Sequence, residues 1–83
     1  MADQEMNRKY VRVYYKKRVL ASFYAYSVRY HDAFYFLTDV ENNVCVEINS
    51  KYVDLIGVYD SPEDEKCVTY NYFSLLDHRY VKF

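Results

Sequence analysis

The first half of the segment Arg8–Tyr30 has the pattern of a two-sided β-strand. One set of alternate positions is apolar and comprises Val11, Val13 and Tyr15, whereas the other set comprises Arg8, Tyr10, Arg12, Tyr14 and Lys16. Successive side chains of a strand point to opposite faces, so this period of two predicts a strand over residues 9–16. One face of that strand would pack on a core. The other would present cations between aromatic rings.

Tyrosine is unusually abundant in this chain. Its 83 residues include 12 Tyr and 5 Phe but no Trp. A single small domain cannot enclose so many rings, and tyrosine keeps its hydroxyl in contact with water or a partner. Several tyrosines are therefore expected on the surface, where two interpretations stay open. Tyr and Arg are enriched at binding surfaces, but Tyr is also an ordinary residue of β-sheets.

Positive and negative charges are concentrated in different parts of the sequence. Residues 1–30 carry a net charge of +5 and residues 31–83 a net charge of −6, which gives −1 overall. If the fold keeps this separation, a basic face would attract phosphate groups. If the fold interleaves the two parts, much of the polarity would cancel.

The remaining sequence predicts a series of short strands. Residues 1–7 are interpreted as a flexible leader, Lys17 and Arg18 as a connection, and Val19–Tyr30 as a strand, although a helical stripe is also present. Ala33–Thr38 and Val44–Ile48 form a predicted hairpin across a turn at Glu41, Asn42 and Asn43. Further predictions are a strand over 52–59 with a bulge or close backbone approach at Gly57, an acidic loop over 60–65, a strand over 67–73, a helical turn over 74–77, and an edge strand over 79–83.

These elements predict an all-β or β-rich α+β fold. Residues 8–83 would form one domain, a small antiparallel meander or half-barrel of six to seven short strands. So small a domain lies near the lower limit of independent stability, and we expect a homodimer.

Catalytic, cofactor and metal signatures are not found in the sequence. A single glycine excludes a glycine-rich phosphate loop, and Cys45 and Cys67 lack the spacing of a zinc site. Both cysteines are expected to be buried free thiols in a cytoplasmic protein, since no apolar run of about 18 residues indicates a membrane span.

His31 and His78 could supply acid–base catalysis of RNA cleavage, but two histidines without a spacing constraint are more simply surface residues. We expect no enzymatic activity, cofactor or metal.

The first strand and the cations after it are the candidate nucleic-acid interface. Single-stranded nucleic acid is held by cations that follow its backbone and by rings on which its bases stack. The candidate residues are Arg8, Lys9, Tyr10, Arg12, Tyr14, Lys16, Lys17 and Arg18. The alternative is a solvated edge strand whose lysines only prevent aggregation.

A protein partner is the second hypothesis. An acidic patch at Glu63, Asp64 and Glu65 could imitate nucleic acid in a basic active site, and surface tyrosines could dock on an enzyme. The chain would then be a protein–protein inhibitor or a dimeric interaction module.

The short length, tyrosine-rich strands, scarcity of glycine and acidic turns together resemble the small early accessory proteins of T-even-type phages. This resemblance covers the character of the whole chain and involves no motif. It implies action by binding in the host cytoplasm, for example as an RNA-binding, antitoxin-like inhibitor of a host ribonuclease toxin in counter-defence.

Overall fold

Eight short strands form two antiparallel sheets of four strands each in the computed structural model, which describes residues 8–38, 44–71, 73–75 and 80–83 without the side chains of Val44 and Cys45. The strands are β1 (Lys9–Tyr15), β2 (Arg18–Ala25), β3 (Ser27–His31), β4 (Phe34–Thr38), β5 (Val44–Asn49), β6 (Leu55–Tyr59), β7 (Val68–Tyr70) and β8 (Tyr80–Lys82). The first sheet has the order β2-β1-β6-β7 and the second the order β5-β4-β3-β8. The predicted small β-rich fold is confirmed, with one or two more strands than expected.

The first strand lies inside its sheet. β1 pairs with β2 on one side and with β6 on the other. Val11 and Val13 are fully buried, whereas Tyr10, Arg12 and Tyr14 on the opposite face remain partly accessible. The two-sided strand is therefore confirmed. The alternative of an edge strand is wrong, because backbone partners flank β1 on both sides.

The predicted strand over Val19–Tyr30 is extended, but it consists of two strands in different sheets. The chain bends at Tyr26, where β2 ends and β3 begins. Both backbone groups of Tyr26 are bonded: its N–H donates to the Thr38 carbonyl at 2.7 Å, and its carbonyl accepts from the Phe83 N–H at 2.8 Å. This bend moves the chain from one sheet to the other and forms a corner of the fold.

Two hairpins have two-residue turns in the left-handed region. Lys16 and Lys17 have φ of 52° and 64° in the β1–β2 turn, and Asp32 and Ala33 have 53° and 68° in the β3–β4 turn. Positive φ at both central residues is the requirement of a type I′ turn, whose twist matches that of paired strands. β1 therefore ends at Tyr15, one residue before the predicted end. Arg18 begins β2 and does not lie in the connection.

The second half of the chain follows the predicted order with shorter strands. β4 and β5 form the expected hairpin, whose turn at Glu41–Asn43 lies outside the described residues, as does the leader 1–7. The strand predicted over 52–59 begins only at Leu55, because Ser50–Tyr52 forms a 3-10 turn capped by Asn49. The strand predicted over 67–73 is limited to Val68–Tyr70, and a 3-10 turn over Phe73–Leu75 begins one residue before the predicted helical turn. β8 is an edge strand as predicted.

The core lies between the two sheets. Its largest fully buried members are Tyr35, Leu37, Ile56, Leu75, Val11, Val13 and Val28. Cys67 is exposed, so the prediction that it is a buried residue is wrong. Among the residues that the structure describes, no helix is long and apolar enough to cross a membrane.

Candidate nucleic-acid interface

The outer face of the first sheet gathers rings and guanidinium groups from three strands. Tyr10 lies between Tyr24 of β2 and Tyr59 of β6 in the register of the sheet. Paired residues of neighbouring strands point to the same side, so the three rings share one face. We call this surface the tyrosine face; its members are Arg8, Tyr10, Arg12, Tyr14, Tyr24 and Tyr59.

Cations and rings alternate across the tyrosine face. Tyr10 and Tyr24 meet edge to face, with ring centroids 5.3 Å apart, and the Arg8 guanidinium lies 5.7 Å from the Tyr24 centroid. The Arg12 guanidinium lies 5.4 Å from the Tyr10 centroid and 4.7 Å from the Tyr59 centroid. All four distances are within the range of direct ring–ring and cation–π interaction. Arginine and tyrosine side chains, which alternate along the outer face of β1 in the sequence, thus also contact one another across the strands of the sheet.

Arg12 is held in a defined position. Its Nη2 donates a hydrogen bond of 2.9 Å to the Pro62 carbonyl, which attaches the acidic loop to the sheet. The hydroxyl of Tyr14, with smaller contributions from Tyr10 and Tyr59, raises the pKa of Arg12 against the opposing effect of burial. A guanidinium stacked on rings and fixed by a carbonyl loses little freedom when it binds a phosphate.

Gly57 makes room for a pair of tyrosines. The hydroxyls of Tyr14 and Tyr59 are hydrogen-bonded at 2.7 Å. A Cβ at Gly57 would lie 3.0 Å from Tyr59 Cε1 and 3.3 Å from Tyr14 Cε2, so both rings occupy the space that a larger side chain would need. The register continues through Gly57 without a bulge, and the close approach comes from side chains and not from backbone. The hydrogen bond with Tyr14, then burial, then Cys67 raise the pKa of Tyr59 well above its ordinary range.

The β1–β2 turn presents three consecutive exposed cations, Lys16, Lys17 and Arg18. The Lys16 N–H donates to Asp54 Oδ2 at 2.7 Å, and the Lys16 ammonium lies 5.3 Å from the Tyr15 centroid. Neither Lys17 nor Arg18 forms an ion pair with any residue that the structure describes. The backbone of the turn is fixed while its charges face solvent.

A cleft of about 390 Å³ connects the turn to the tyrosine pair. It is lined by Tyr14, Lys17, Asp54, Leu55, Tyr59 and Cys67. The lining is mainly apolar but includes one cation, Lys17, and one carboxylate, Asp54. Such a cleft is suitable for a flat apolar group.

Lys9 is the predicted site residue that the fold separates from the rest. Lys9 lies on the same face of β1 as Val11 and Val13, opposite to the tyrosine face. Its ammonium forms an ion pair of 2.6 Å with Asp60. Together with the contact between Arg12 and Pro62, this ion pair places the acidic loop 60–65 beside β1. The fold therefore interleaves part of the basic and acidic sequences. The turn cations remain outside this pairing.

Sequence reasoning missed Tyr24 and Tyr59, which belong to strands other than β1. Tyr24 reaches this face because of a β-bulge: Tyr14 pairs with Val19 and Val13 with Ala21, so Leu20 is an extra residue in β2. If Leu20 were paired in a regular register instead of bulged, the two-residue turn would place Phe23 opposite Tyr10, and Tyr24 would face the core. No local signal in the sequence marks the partner strand of Tyr59.

The described residues do not assemble a site for acid–base catalysis or metal binding. His31 is exposed, with Nε2 4.0 Å from Asp32 Oδ2, and His78 lies outside the described residues. Within the part of the chain that the structure describes, no three His, Cys, Asp or Glu side chains are placed to hold a metal ion.

The fold and this face define the chain as a small β-protein of two four-stranded antiparallel sheets with an aromatic, cationic surface. Comparison with protein families, with curated proteins and with solved structures finds no match.

Proposed function

We propose that the protein is a non-enzymatic RNA-binding protein. The tyrosine face would stack unpaired bases of single-stranded or structured RNA, and Lys16, Lys17 and Arg18 would contact its phosphates. The observation that carries this proposal is the alternation of guanidinium groups and tyrosine rings, at 4.7 to 5.7 Å, on one sheet face. On that face Tyr24 is exposed, Tyr10 and Tyr14 are partly exposed, and Tyr59 is buried beneath them. Stacking platforms flanked by cations are the usual means of binding unpaired nucleic acid.

Binding without catalysis implies sequestration of the RNA or inhibition of a nucleic-acid-processing enzyme. The resemblance to small early accessory proteins of T-even-type phages supports a role in counter-defence, with a host nuclease or toxin as the target and the host cytoplasm as the place of action. A homodimer belongs to the same proposal, since a second copy would double the number of RNA contacts.

A pair of tyrosine variants tests the stacking. Tyr24 is 44% exposed and Tyr52 is 46% exposed, and each meets another tyrosine edge to face, but only Tyr24 belongs to the tyrosine face. Tyr24→Ser should weaken binding of a labelled single-stranded RNA by about 1–3 kcal/mol, the value of one stacked base. Tyr52→Ser should bind as the wild type does. Equal effects of both variants in fluorescence anisotropy would refute stacking on this face.

The contacts between β1 and the acidic loop 60–65 favour a second candidate function, in which the protein imitates nucleic acid and inhibits an enzyme. Lys9 and Arg12 attach the first half of the loop to β1 through Asp60 and Pro62. Glu63 and Glu65, which follow, are exposed. A basic enzyme could bind this loop in place of its substrate. The double variant Glu63→Lys, Glu65→Lys should then lose inhibition of the target enzyme. Under the RNA-binding proposal the same variant keeps its RNA affinity or gains some.

A further inference from the structure

The outer face of the second sheet, on the opposite side of the core, carries another group of polar and aromatic side chains. Ser27 and Arg29 of β3 lie beside Thr38 and Phe36 of β4, and Arg29 pairs in register with Tyr80 of β8. None of these residues belongs to the tyrosine face. Two recesses open on this side, and Arg29 lines both of them.

The first recess has the chemistry of a phosphate site. It has a volume of about 230 Å³ and is lined by Ser27, Arg29, Thr38 and Tyr80. The Ser27 and Thr38 hydroxyls are 2.6 Å apart, and their mutual hydrogen bond uses only one of the two hydroxyl protons. The other proton can be donated to a ligand, as can the Tyr80 hydroxyl proton. Arg29 makes no hydrogen bond or ion pair with the residues that the structure describes, so its donors remain available to an anion.

The second recess has the chemistry of a ring site. It has a volume of about 330 Å³ and is lined by Arg29, Tyr30, His31 and Phe36. The Arg29 guanidinium lies 5.9 Å from the Phe36 centroid, which leaves the ring partly accessible on the sheet surface. Flat rings of this kind, with a guanidinium alongside, are the surfaces on which nucleobases stack.

The charges around the two recesses favour an anion. Lys82 pairs in register with Ser27 and is exposed on the same side of β8. Two carboxylates also lie near this surface: Glu47 pairs with Phe36 from β5, and Asp32 lies 4.0 Å from His31. Both are on the side of the ring recess. The phosphate recess is thus lined by one cation and three hydroxyls, and a second cation, Lys82, lies on the adjacent strand β8.

We propose that this face binds a nucleoside 5′-monophosphate group, with its phosphate held by Arg29 and the hydroxyls of Ser27, Thr38 and Tyr80, and its base stacked on Phe36. A single arginine shared by a polar recess and an aromatic recess matches a ligand in which a phosphate and a base are joined through one sugar. The group can belong to a free nucleotide or to the 5′ end of an RNA, because the chemistry of the two is the same. This inference is independent of RNA binding at the tyrosine face.

Titration of the ¹⁵N-labelled protein with adenosine 5′-monophosphate, adenosine and inorganic phosphate, followed by amide chemical shifts, tests the site. The nucleotide should bind at least about tenfold more tightly than either fragment, and the shifts should be confined to β3, β4 and β8. Arg29→Gln should weaken nucleotide binding at least about tenfold. Lys51→Gln is the matched control, since Lys51 is also an exposed cation over a ring, 5.1 Å from the Tyr52 centroid, but lies outside both recesses.

Two further measurements separate the parts of the proposal. Phe36→Leu should reduce the affinity for the nucleotide to that for inorganic phosphate. A short RNA with a 5′-phosphate that competes better than its 5′-hydroxyl counterpart would assign the site to RNA ends, whereas equal competition would assign it to free nucleotides. Unchanged nucleotide affinity in Arg29→Gln, or equal affinity of the wild type for nucleotide and phosphate, would overturn the proposal. Neither result depends on whether Tyr24→Ser changes RNA binding.

Discussion

Gly57 is the single glycine of the chain, and the rings of Tyr14 and Tyr59 pack over it on the outer face of the first sheet. The sequence predicted a special role at this position but not its nature. A glycine inside a strand pattern can indicate a bulge or a close approach, and only the tertiary structure shows what approaches. Two tyrosine rings from β1 and β6 use the space, and this packing brings their hydroxyls together.

Gly57→Val is therefore expected to destabilise the protein. The added methyl groups would overlap both rings, and overpacking of this kind costs about 1–3 kcal/mol. Urea unfolding measures the loss. Thr69→Val is the control, because Thr69 pairs in register with Gly57 on the same face but is exposed. A Gly57→Val variant as stable as the wild type would show that the rings do not pack over this residue.

The pKa of Tyr59 predicts a fall of stability in alkali. Its hydrogen bond with Tyr14 and its burial raise the folded-state pKa above the unfolded value of about 10. Above that pH the unfolded state releases the phenolic proton first, so the free energy of unfolding decreases as the pH rises towards the folded-state pKa. Below it the contribution is fully present. Urea unfolding between pH 9 and pH 11 should show a smaller decrease in Tyr59→Phe than in the wild type. Identical slopes would contradict the assignment.

At the scale of elements, variants in the β1–β2 and β3–β4 turns can distinguish effects on stability from effects on RNA binding. Lys17 and Ala33 both have positive φ in turns of the same kind. Glycine avoids the steric cost of this conformation, so Lys17→Gly and Ala33→Gly should each raise the free energy of unfolding by about 0.5–1 kcal/mol.

The same two variants should differ in RNA binding. Lys17→Gly removes a phosphate contact and should reduce the slope of log affinity against log salt by about 0.7 for single-stranded RNA. Ala33→Gly should leave both affinity and slope unchanged. If Lys17→Gly is more stable and binds RNA as the wild type does, the turn is a structural element alone.

The limits of prediction at this scale are clearest in β2 and β3. The period of two in β1 was sufficient to predict its buried and exposed faces, because no irregularity interrupts it. In the next segment the extra residue Leu20 and the bend at Tyr26 each shift the alternation by one position. Phe23 and Ala25 face the core before the bend, whereas Val28 and Tyr30 face it afterwards. The backbone of this segment is extended, so its helical stripe does not correspond to a helix.

For the molecule as a whole, the sequence predicted the fold class but not the strand pairing. β1 pairs with β6 across more than 40 residues, and a period-two pattern does not identify its partner. Tyr59 and the acidic loop reach the tyrosine face only through this pairing. The opposite distribution of charge along the chain was likewise a poor guide to the surface, since Lys9 and Asp60 meet in the fold. The candidate residues other than Lys9 stay together in the structure because they lie in or next to β1 and the turn that follows it.

Binding of the purified protein to a labelled single-stranded RNA across a salt series tests the central claim most directly. Contacts from Lys16, Lys17 and Arg18 to three phosphates predict a linear plot of log affinity against log salt with a slope of about −2. Single-stranded DNA of the same sequence, measured alongside, shows whether the sugar contributes. No binding at low salt, or an affinity independent of salt, would contradict the account and make a protein the partner to seek.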